Sequence, residues 1–284
     1  GRMYGYVFFV LAAIFIGTIG IFVKLVGDAV NPFVIGFYRV LFALLLMAVT
    51  APLLDKTTFR VTRKKLKNDA LVGLLFAINF SATSIAYLFA PIQNVALILS
   101  TTPIFVLIIA YFMLGERITR TKTITLIIAF IGLVVLNPFR PEGLLGNVIA
   151  LVVAASGGLM FVLLRKINSK ETIGNVFWFF LFATLFLLPL PIILGFGNIT
   201  WSIVSLGIVS TGAAYLFYNL GYESVEASIG NIITNIITPL AAILMAFFIL
   251  SESLNVQVIV GGVILVGAGI YLRTHHHVRK LKST

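Results

Sequence analysis

The sequence predicts an all-α integral membrane protein with ten transmembrane helices laid out as a 5+5 inverted repeat. Three observations carry that reading: a shortage of charge, ten apolar runs near spanning length, and two halves that align while their loop charges oppose. Hydrophobic residues make up 60% of the chain and charged residues 10%, against about 45–50% and about 25% in soluble domains. So few charges cannot cover a water-facing surface. The chain has no cysteine, which excludes disulfides, thiolate metal sites and cysteine nucleophiles. A net charge of +11 could point to nucleic acid. In so apolar a chain it reads instead as basic cytoplasmic loops, and no nucleic-acid partner is expected.

Apolar runs broken by charge or by Pro, Gly and Asn clusters place the helices near 5–26, 33–53, 69–88, 91–114, 122–138, 146–165, 173–194, 199–219, 226–250 and 255–272. About 20 such residues cross the ~30 Å of hydrocarbon in a bilayer. The tightest break is at 88–91, where Pro91 suits the first turn of a new helix. The first segment is too long for a cleavable leader. With the N-terminus inside, the cytoplasmic side collects seventeen Lys and Arg, including Lys56, Arg60, Arg63, Lys64, Lys65, Lys67, Arg117, Arg120 and Lys122; the outer side holds Arg140 alone. That bias predicts a multi-pass protein of the cytoplasmic membrane with both termini cytoplasmic. The basic loop 56–67 could meet anionic lipid, but reads first as a topology determinant. His275, His276 and His277 lie in a basic cytoplasmic tail, 274–284, and are read as a native tail or a tag and not as a metal site.

The halves divide the chain at 1–140 and 141–273. TTPIFVLIIAYFMLGERIT around Pro103 aligns with ITPLAAILMAFFILSESLN around Pro239, and an offset of 136 superposes Thr102 on Thr238, Pro103 on Pro239 and Glu116 on Glu252. Nearer the start of each half an offset of 141 matches Gly5 with Gly146, Gly17 with Gly158 and Lys24 with Arg165. Five helices per repeat force the second copy to insert upside down, and the charges agree. Arg117, Arg120 and Lys122 follow Glu116, whereas no basic residue follows Glu252 in the corresponding loop; between the first and second helices of each half the imbalance reverses. Inverted repeats are a recurring plan of secondary transporters, with substrate held near the midplane between the halves.

On these residues the chain resembles the EamA-type members of the drug/metabolite transporter superfamily. The most specific stretch is the proline of the fourth helix, the aliphatic run ending Leu114-Gly115-Glu116-Arg117-Ile118-Thr119, and the glycine of the fifth helix, Gly132. The second copy, Leu250-Ser251-Glu252, departs by replacing the glycine. Pro32 followed by Tyr38-Arg39 is similar to the family's second helix. The resemblance covers essentially the whole chain as two EamA-like repeats and implies alternating-access movement of small metabolites, often amino acids, through a central cavity.

Polar side chains inside spans usually face the bundle interior or a water-filled cavity. Asn79, Thr83 and Tyr87 recur at four-residue spacing in the third helix, as do Thr211, Tyr215, Asn219 and nearby Tyr222 in the eighth. Asn94 and Thr101 align in the fourth; Asn231, Asn235 and Thr238 align in the ninth. These residues are the candidate substrate-binding wall. Interhelical hydrogen bonding, worth about 0.6–2 kcal/mol each, is the alternative. Arg39 could take a substrate carboxylate, although snorkelling or pairing with a carbonyl is favoured. Pro103 and Pro239 are candidate hinges, with a static kink as the plainer reading. Glu116 and Glu252 read as ties between helix ends and loops, and Glu223 and Glu226 as a mouth to the cavity.

All nine acidic residues lie in loops or at helix ends, so coupling through a midplane carboxylate is disfavoured. The expected function is secondary transport of a small polar metabolite, an amino acid or related compound, with export favoured. Uptake of an organic cation and a channel-like facilitator are the alternatives. An intramembrane enzyme would need convergent catalytic groups that the spans lack. The expected partners are a small-molecule substrate and membrane lipid, with no cofactor and a monomer or weak homodimer.

Overall fold

The computed structural model describes residues 2–168, 173–249, 251 and 253–282; the side chains of residues 2, 3, 84, 87, 92, 93, 168 and 277–282 lie outside the described set. Among the described residues all regular structure is helical. The chain begins with α1 (Arg2–Gly17) and α2 (Ile19–Val26), broken at Thr18, followed by α3 (Pro32–Leu54) and α4 (Arg63–Phe89). A second broken pair, α5 (Ile92–Leu99) and α6 (Thr102–Leu114), precedes α7 (Arg120–Leu136) and α8 (Leu144–Asn168). Next, α9 (Asn175–Leu187) and α10 (Pro189–Leu194) meet at Leu188, and a π-helical turn (Ile208–Ala213) joins α11 (Trp201–Gly207) to α12 (Ala214–Tyr222). The last two helices are α13 (Ala227–Ile249) and α14 (Val256–Lys282).

Among the described residues, eight helical stretches are long and apolar enough to cross a membrane: Tyr4–Val26, Pro32–Leu54, Asn94–Leu114, Leu144–Ile167, Asn175–Leu194, Trp201–Tyr222, Ala227–Ile249 and Val256–His276. Beside them stand α4, which opens on Arg63, Lys64, Lys65 and Lys67, and α7, whose 17 residues rise about 25 Å at 1.5 Å each. Both basic starts are capped alike: Lys65 N donates to Thr62 Oγ1 and Lys122 N to Thr119 Oγ1, each at 3.2 Å. The cap carries α4 six residues beyond its expected start at 69. The tail from 274 continues α14 as helix to Lys282.

A broken helix in lipid must satisfy its freed backbone groups internally. The break between α5 and α6 does so with hydroxyls. Ser100 donates to Ala96 O at 2.7 Å, Thr101 to Ile98 O at 2.6 Å and Thr102 to Leu99 O at 2.6 Å. Pro103 therefore stands in the first turn of α6, where a missing N–H is no loss. The kink expected of the fourth helix falls at this break, inside the span Asn94–Leu114, and Thr102 Oγ1 takes up Leu99 O, the carbonyl that Pro103 cannot serve. Its equivalent Pro239 lies inside the uninterrupted α13.

The halves are cross-packed. α1 lies on α12 and α13, while α8 lies on α4 and α6. A Cβ on Gly17 would stand 3.2 Å from Ala241 Cβ, and one on Gly158 would stand 2.7 Å from Phe105 Cβ. Gly17 and Gly158 differ by 141, Phe105 and Ala241 by 136: one crossing, made twice. Gly5 against Val225 and Gly146 against Phe89 repeat the relation, with a Cβ 2.7 Å from Val225 Cγ2 and 2.5 Å from the Phe89 carbonyl carbon. The turns that follow α6 and α13 match too. Gly115 has φ +67 and its counterpart Ser251 has φ +54, a left-handed geometry that costs a residue with a Cβ roughly 1–2 kcal/mol.

Asn94, a candidate for the substrate wall, is instead buried against the segment joining the halves. Its Nδ2 donates to Arg140 O (2.8 Å), Glu142 O (3.2 Å) and Asn147 Oδ1 (3.2 Å), and its Oδ1 accepts from Arg140 N at 2.7 Å. The first turn of α5 lies at that end of the bundle, away from the other candidates.

Two stability tests follow from this packing. Gly158→Ala forces a shift at the Phe105 backbone and should lower the thermal midpoint in detergent, at about 1–3 kcal/mol for overpacking; Gly20→Ala, which meets nothing within 4 Å, should not lower it. Asn94→Leu should destabilise further, by about 1–3 kcal/mol for each group left buried without a partner, measured by the same melt.

Candidate functional site

The interior site is assembled where α3, α4 and the π-helical turn meet. Arg39 lies two turns into α3. Its Nε donates to Thr211 Oγ1 at 3.0 Å, and its guanidinium carbon sits 4.3 Å from the Phe80 ring centroid. Snorkelling is thus corrected: the side chain turns into the bundle and stacks, a cation–π contact that strengthens when desolvated. The π turn supplies the partner. Thr211 Oγ1 donates to Leu206 O, five residues back, at 3.0 Å, which is the π spacing, and π turns inside α-helices are frequent at functional sites. Thr18, at the break between α1 and α2, donates to Phe15 O at 2.5 Å and lies 2.6 Å from Ser210 Oγ. The sequence reading missed Thr18 and Ser210. Their flanking glycines, Gly17 and Gly212, were the available signal; a π turn leaves none in a periodicity.

Behind Arg39 is a wall of rings. Tyr215 centres it, with ring centroids 5.1 Å from Phe76, 5.8 Å from Phe80, 5.9 Å from Phe180 and 5.4 Å from Tyr218. Tyr215 is therefore sealed in the aromatic core and does not line an open face. Asn219, 0% exposed, donates to Tyr215 O one turn back at 2.6 Å. Asn231 is buried as well. The expected stripe of the eighth helix thus faces rings from α4, α8 and α9, because those rings fill the space that its four-residue spacing addresses.

The stripe of α4 is different. Asn79, Thr83, Thr101 and Asn235 are all half-buried. Asn79 Nδ2 donates to Val153 O of α8 at 3.1 Å, and Thr83 Oγ1 donates to Asn79 O at 2.7 Å. Asn79 and Thr102 both touch the space above Gly157. From the other half, Asn235 Nδ2 donates to Ser100 O at 3.3 Å, at the break between α5 and α6. Helices α4, α5, α8 and α13 thus bring amides and hydroxyls of both halves together in mid-span. The side chain of Tyr87 lies outside the described set.

Cross-links between the halves lie at both ends of the bundle, and the basic end holds the loops 55–62, 115–119 and 223–226. Glu116 is 8% exposed. Its Oε1 accepts from Ala227 N at 2.7 Å, and its Oε2 accepts from Ser228 N at 3.1 Å and Ser228 Oγ at 2.7 Å. Those amides are the first of α13 and have no intrahelical acceptor; a carboxylate there is also favoured by the helix dipole. Gly115, in its left-handed turn, reverses the chain so that Glu116 reaches them. Beside it Lys122, 2% exposed, bonds Glu226 Oε2 at 2.8 Å and Arg117 O at 2.9 Å. Glu226 lines a cavity of about 330 Å³ with Arg117, Thr119, Lys122 and His276; Glu223 is exposed, with partial burial raising its carboxyl above the usual range. Asp55 Oδ2 accepts from Gly174 N at 3.0 Å and Trp178 Nε1 donates to Thr58 O at 2.8 Å, while Arg165 donates to Tyr222 O within the second half. At the opposite end Asn198 N donates to Ala29 O at 2.9 Å and Tyr38 Oη to Phe196 O at 2.7 Å. Glu252 lies outside the described residues.

Residues 3–137 and 144–274 each match the EamA-like transporter family. A protein of Clostridium kluyveri named as an uncharacterized transporter is 28% identical over 98% of this chain and 96% of its own. Another so named, from Archaeoglobus fulgidus, is 27% identical over 95% and 96%. An S-adenosylmethionine uptake transporter of Rickettsia prowazekii is 23% identical over 88% and 85%. One solved structure superposes with a TM-score of 0.83 over 99% of both chains at 17% identity, a likeness of fold alone. With both halves matched and the bundle helical and apolar, the chain belongs to the EamA-like transporter family and is a multi-pass membrane transporter.

Proposed function

We propose that the protein is a secondary carrier that exports a small polar metabolite, an amino acid or a close relative, across the cytoplasmic membrane by alternating access. In this reading α4 and α7 join the eight apolar stretches as ten spans, arranged as inverted repeats 1–140 and 141–273 with the basic end in the cytoplasm. The observation that carries it is the doubled crossing, Gly17 on Ala241 and Gly158 on Phe105. Two equivalent packings that join opposite halves let one half rock on the other around a fixed centre, the scheme common to transporters of this plan.

The substrate sits between the half-buried polar groups: Asn79 and Thr83 on one side, Thr101 and Asn235 on the other, with Arg39 and Thr211 toward the ring wall. Amides and hydroxyls that now bond neighbouring carbonyls can exchange those bonds for bonds to solute. The guanidinium suits a carboxylate. Tyr215, Asn219 and Asn231 support this surface from behind. A second reading, uptake of a larger solute, is favoured by the relatives named for S-adenosylmethionine uptake.

In proteoliposomes preloaded with unlabelled amino acids, labelled uptake should saturate and run faster than into empty vesicles, because a loaded carrier returns faster than an empty one. Flux that stays linear with concentration and indifferent to preloading would sink the carrier reading. Asn79→Leu should lower the transport rate at least ~10-fold, equivalent to about 1.4 kcal/mol, while the protein still purifies as one monodisperse species. Wild-type kinetics would return Asn79 to packing. For topology, single cysteines at Asn198 and Leu254 should label from outside intact cells and one at Thr62 should not; the reverse pattern contradicts the orientation.

A further inference from the structure

The cavity of about 330 Å³ at the basic end has the chemistry of an anion site. Arg117, Thr119, Thr121, Lys122, Glu226 and His276 line it. They come from the start of α7, the residue before α13 and the end of α14, so both halves contribute. Its volume equals roughly ten waters at ~30 Å³ each, more than a bare phosphate fills. Lys122 is 2% exposed. Its ammonium bonds Glu226 Oε2 at 2.8 Å and Arg117 O at 2.9 Å, and an ammonium has a third N–H to give. The Arg117 side chain is exposed. The N–H groups of Arg120 and Thr121 open α7 and have no acceptor within that helix, at the end where its dipole favours negative charge. Glu116 is turned away onto the amides of α13, so Glu226 is the one carboxylate among the lining residues.

Two plainer reasons for these cations fall short. Membrane topology asks for Lys and Arg near the cytoplasmic surface, but not for an ammonium buried on the wall of a cavity. The repeat does not ask for them either, since the offset of 136 puts Ser253, Asn255 and Val258 where Arg117, Thr119 and Lys122 stand. We propose that this cavity binds an anionic phosphate ester. The Arg117 guanidinium takes two of its oxygens as a fork, and the Lys122 ammonium takes another as a point charge. The opening N–H groups of α7 complete the shell. Glu226 is the competitor, holding Lys122 until the ester arrives. His276 ends the span Val256–His276 and Arg120 begins α7, so the cavity stands at headgroup depth, within reach of an anionic lipid and of a soluble ester alike. The site does not depend on which solute the carrier moves, or in which direction.

The test titrates the purified, delipidated chain in a neutral detergent with phosphatidylglycerol, phosphatidylcholine of the same chain length, or glycerol 3-phosphate. The thermal midpoint gives affinity, and native mass spectrometry gives the number of lipids retained. An anionic probe should raise the midpoint saturably, at one molecule per chain, and phosphatidylcholine should not. Arg117→Gln, at an exposed position that leaves the fold intact, should weaken binding at least ~10-fold through loss of the bidentate grip. Glu226→Gln removes the competitor and should tighten binding, an outcome that a merely structural Lys122–Glu226 pair would not give. Arg63→Gln with Lys64→Gln, exposed on the first turn of α4 and outside the cavity, should change affinity less than ~3-fold, the scale of a surface charge. Phosphatidylglycerol acting alone assigns the site to lipid; glycerol 3-phosphate acting as strongly assigns it to a soluble ester. Phosphatidylcholine matching the anionic probe overturns the site, as does an absence of saturable binding by either anionic probe. So does an equal loss from Arg117→Gln and the Arg63→Gln/Lys64→Gln pair, or binding by Glu226→Gln that is no tighter than by the unchanged chain.

Discussion

The architecture depends on one contact made twice: a glycine at the start of each half meets a helix of the other, Gly17 of α1 on Ala241 of α13 and Gly158 of α8 on Phe105 of α6. In lipid, apolar burial contributes no drive to helix association, and small residues that permit close backbone approach take over that role. At Gly158 the packing leaves no room for a methyl group. Because the contact joins opposite halves, neither half closes on itself. Asn235 of α13 bonds the α5–α6 break at Ser100 O, and Asn79 of α4 lies with Thr102 beside Gly157.

Helix breaks in such a bundle are placed where hydroxyls can repair them. Ser100, Thr101 and Thr102 bond back along the chain at the α5–α6 break, Thr18 does so at the α1–α2 break, and Thr211 bridges the π turn. The same hydroxyls are the groups a solute could borrow. A side chain that serves its own backbone until solute arrives avoids the penalty of a buried unpaired polar group. It also explains how a half-buried interior can be polar without carboxylates. Arg39 fits the same logic, held by the Phe80 ring and the Thr211 hydroxyl and so kept from the membrane surface.

Much of this was legible in the residues. The apolar runs found the helix ends to within about three positions, except the start of α4 and the end of α14, and the LGE stretch proved to be a left-handed glycine turn that aims a carboxylate at α13. Two things were not legible. A four-residue spacing marks a face but not what the face meets: Asn79 and Asn219 occupy equivalent-looking stripes, yet one is half-buried beside α8 and the other is enclosed by rings. Local breaks were the second. Pro103 marked the break in the fourth helix, but the equivalent Pro239 lies in an unbroken α13, and nothing in the spacing distinguishes the two. The snorkelling expected of Arg39 failed because the π turn, invisible in periodicity, swings Thr211 toward it. Asn94 failed as a wall residue because its partners, Arg140 and Glu142, come from a connection with no periodic signature.

The central claim is that two halves rock about their crossings, so that opening one end closes the other. Spin-label distances measured in pairs on the cysteine-free chain test it most directly, one pair at Ile118 and Glu223 across the basic end, the other at Phe89 and Leu254 across the opposite end; all four residues are exposed. On adding a transported solute, the account predicts that the first distance distribution shifts longer while the second shifts shorter. Two distributions that lengthen together, or that stay fixed while solute crosses, would contradict it.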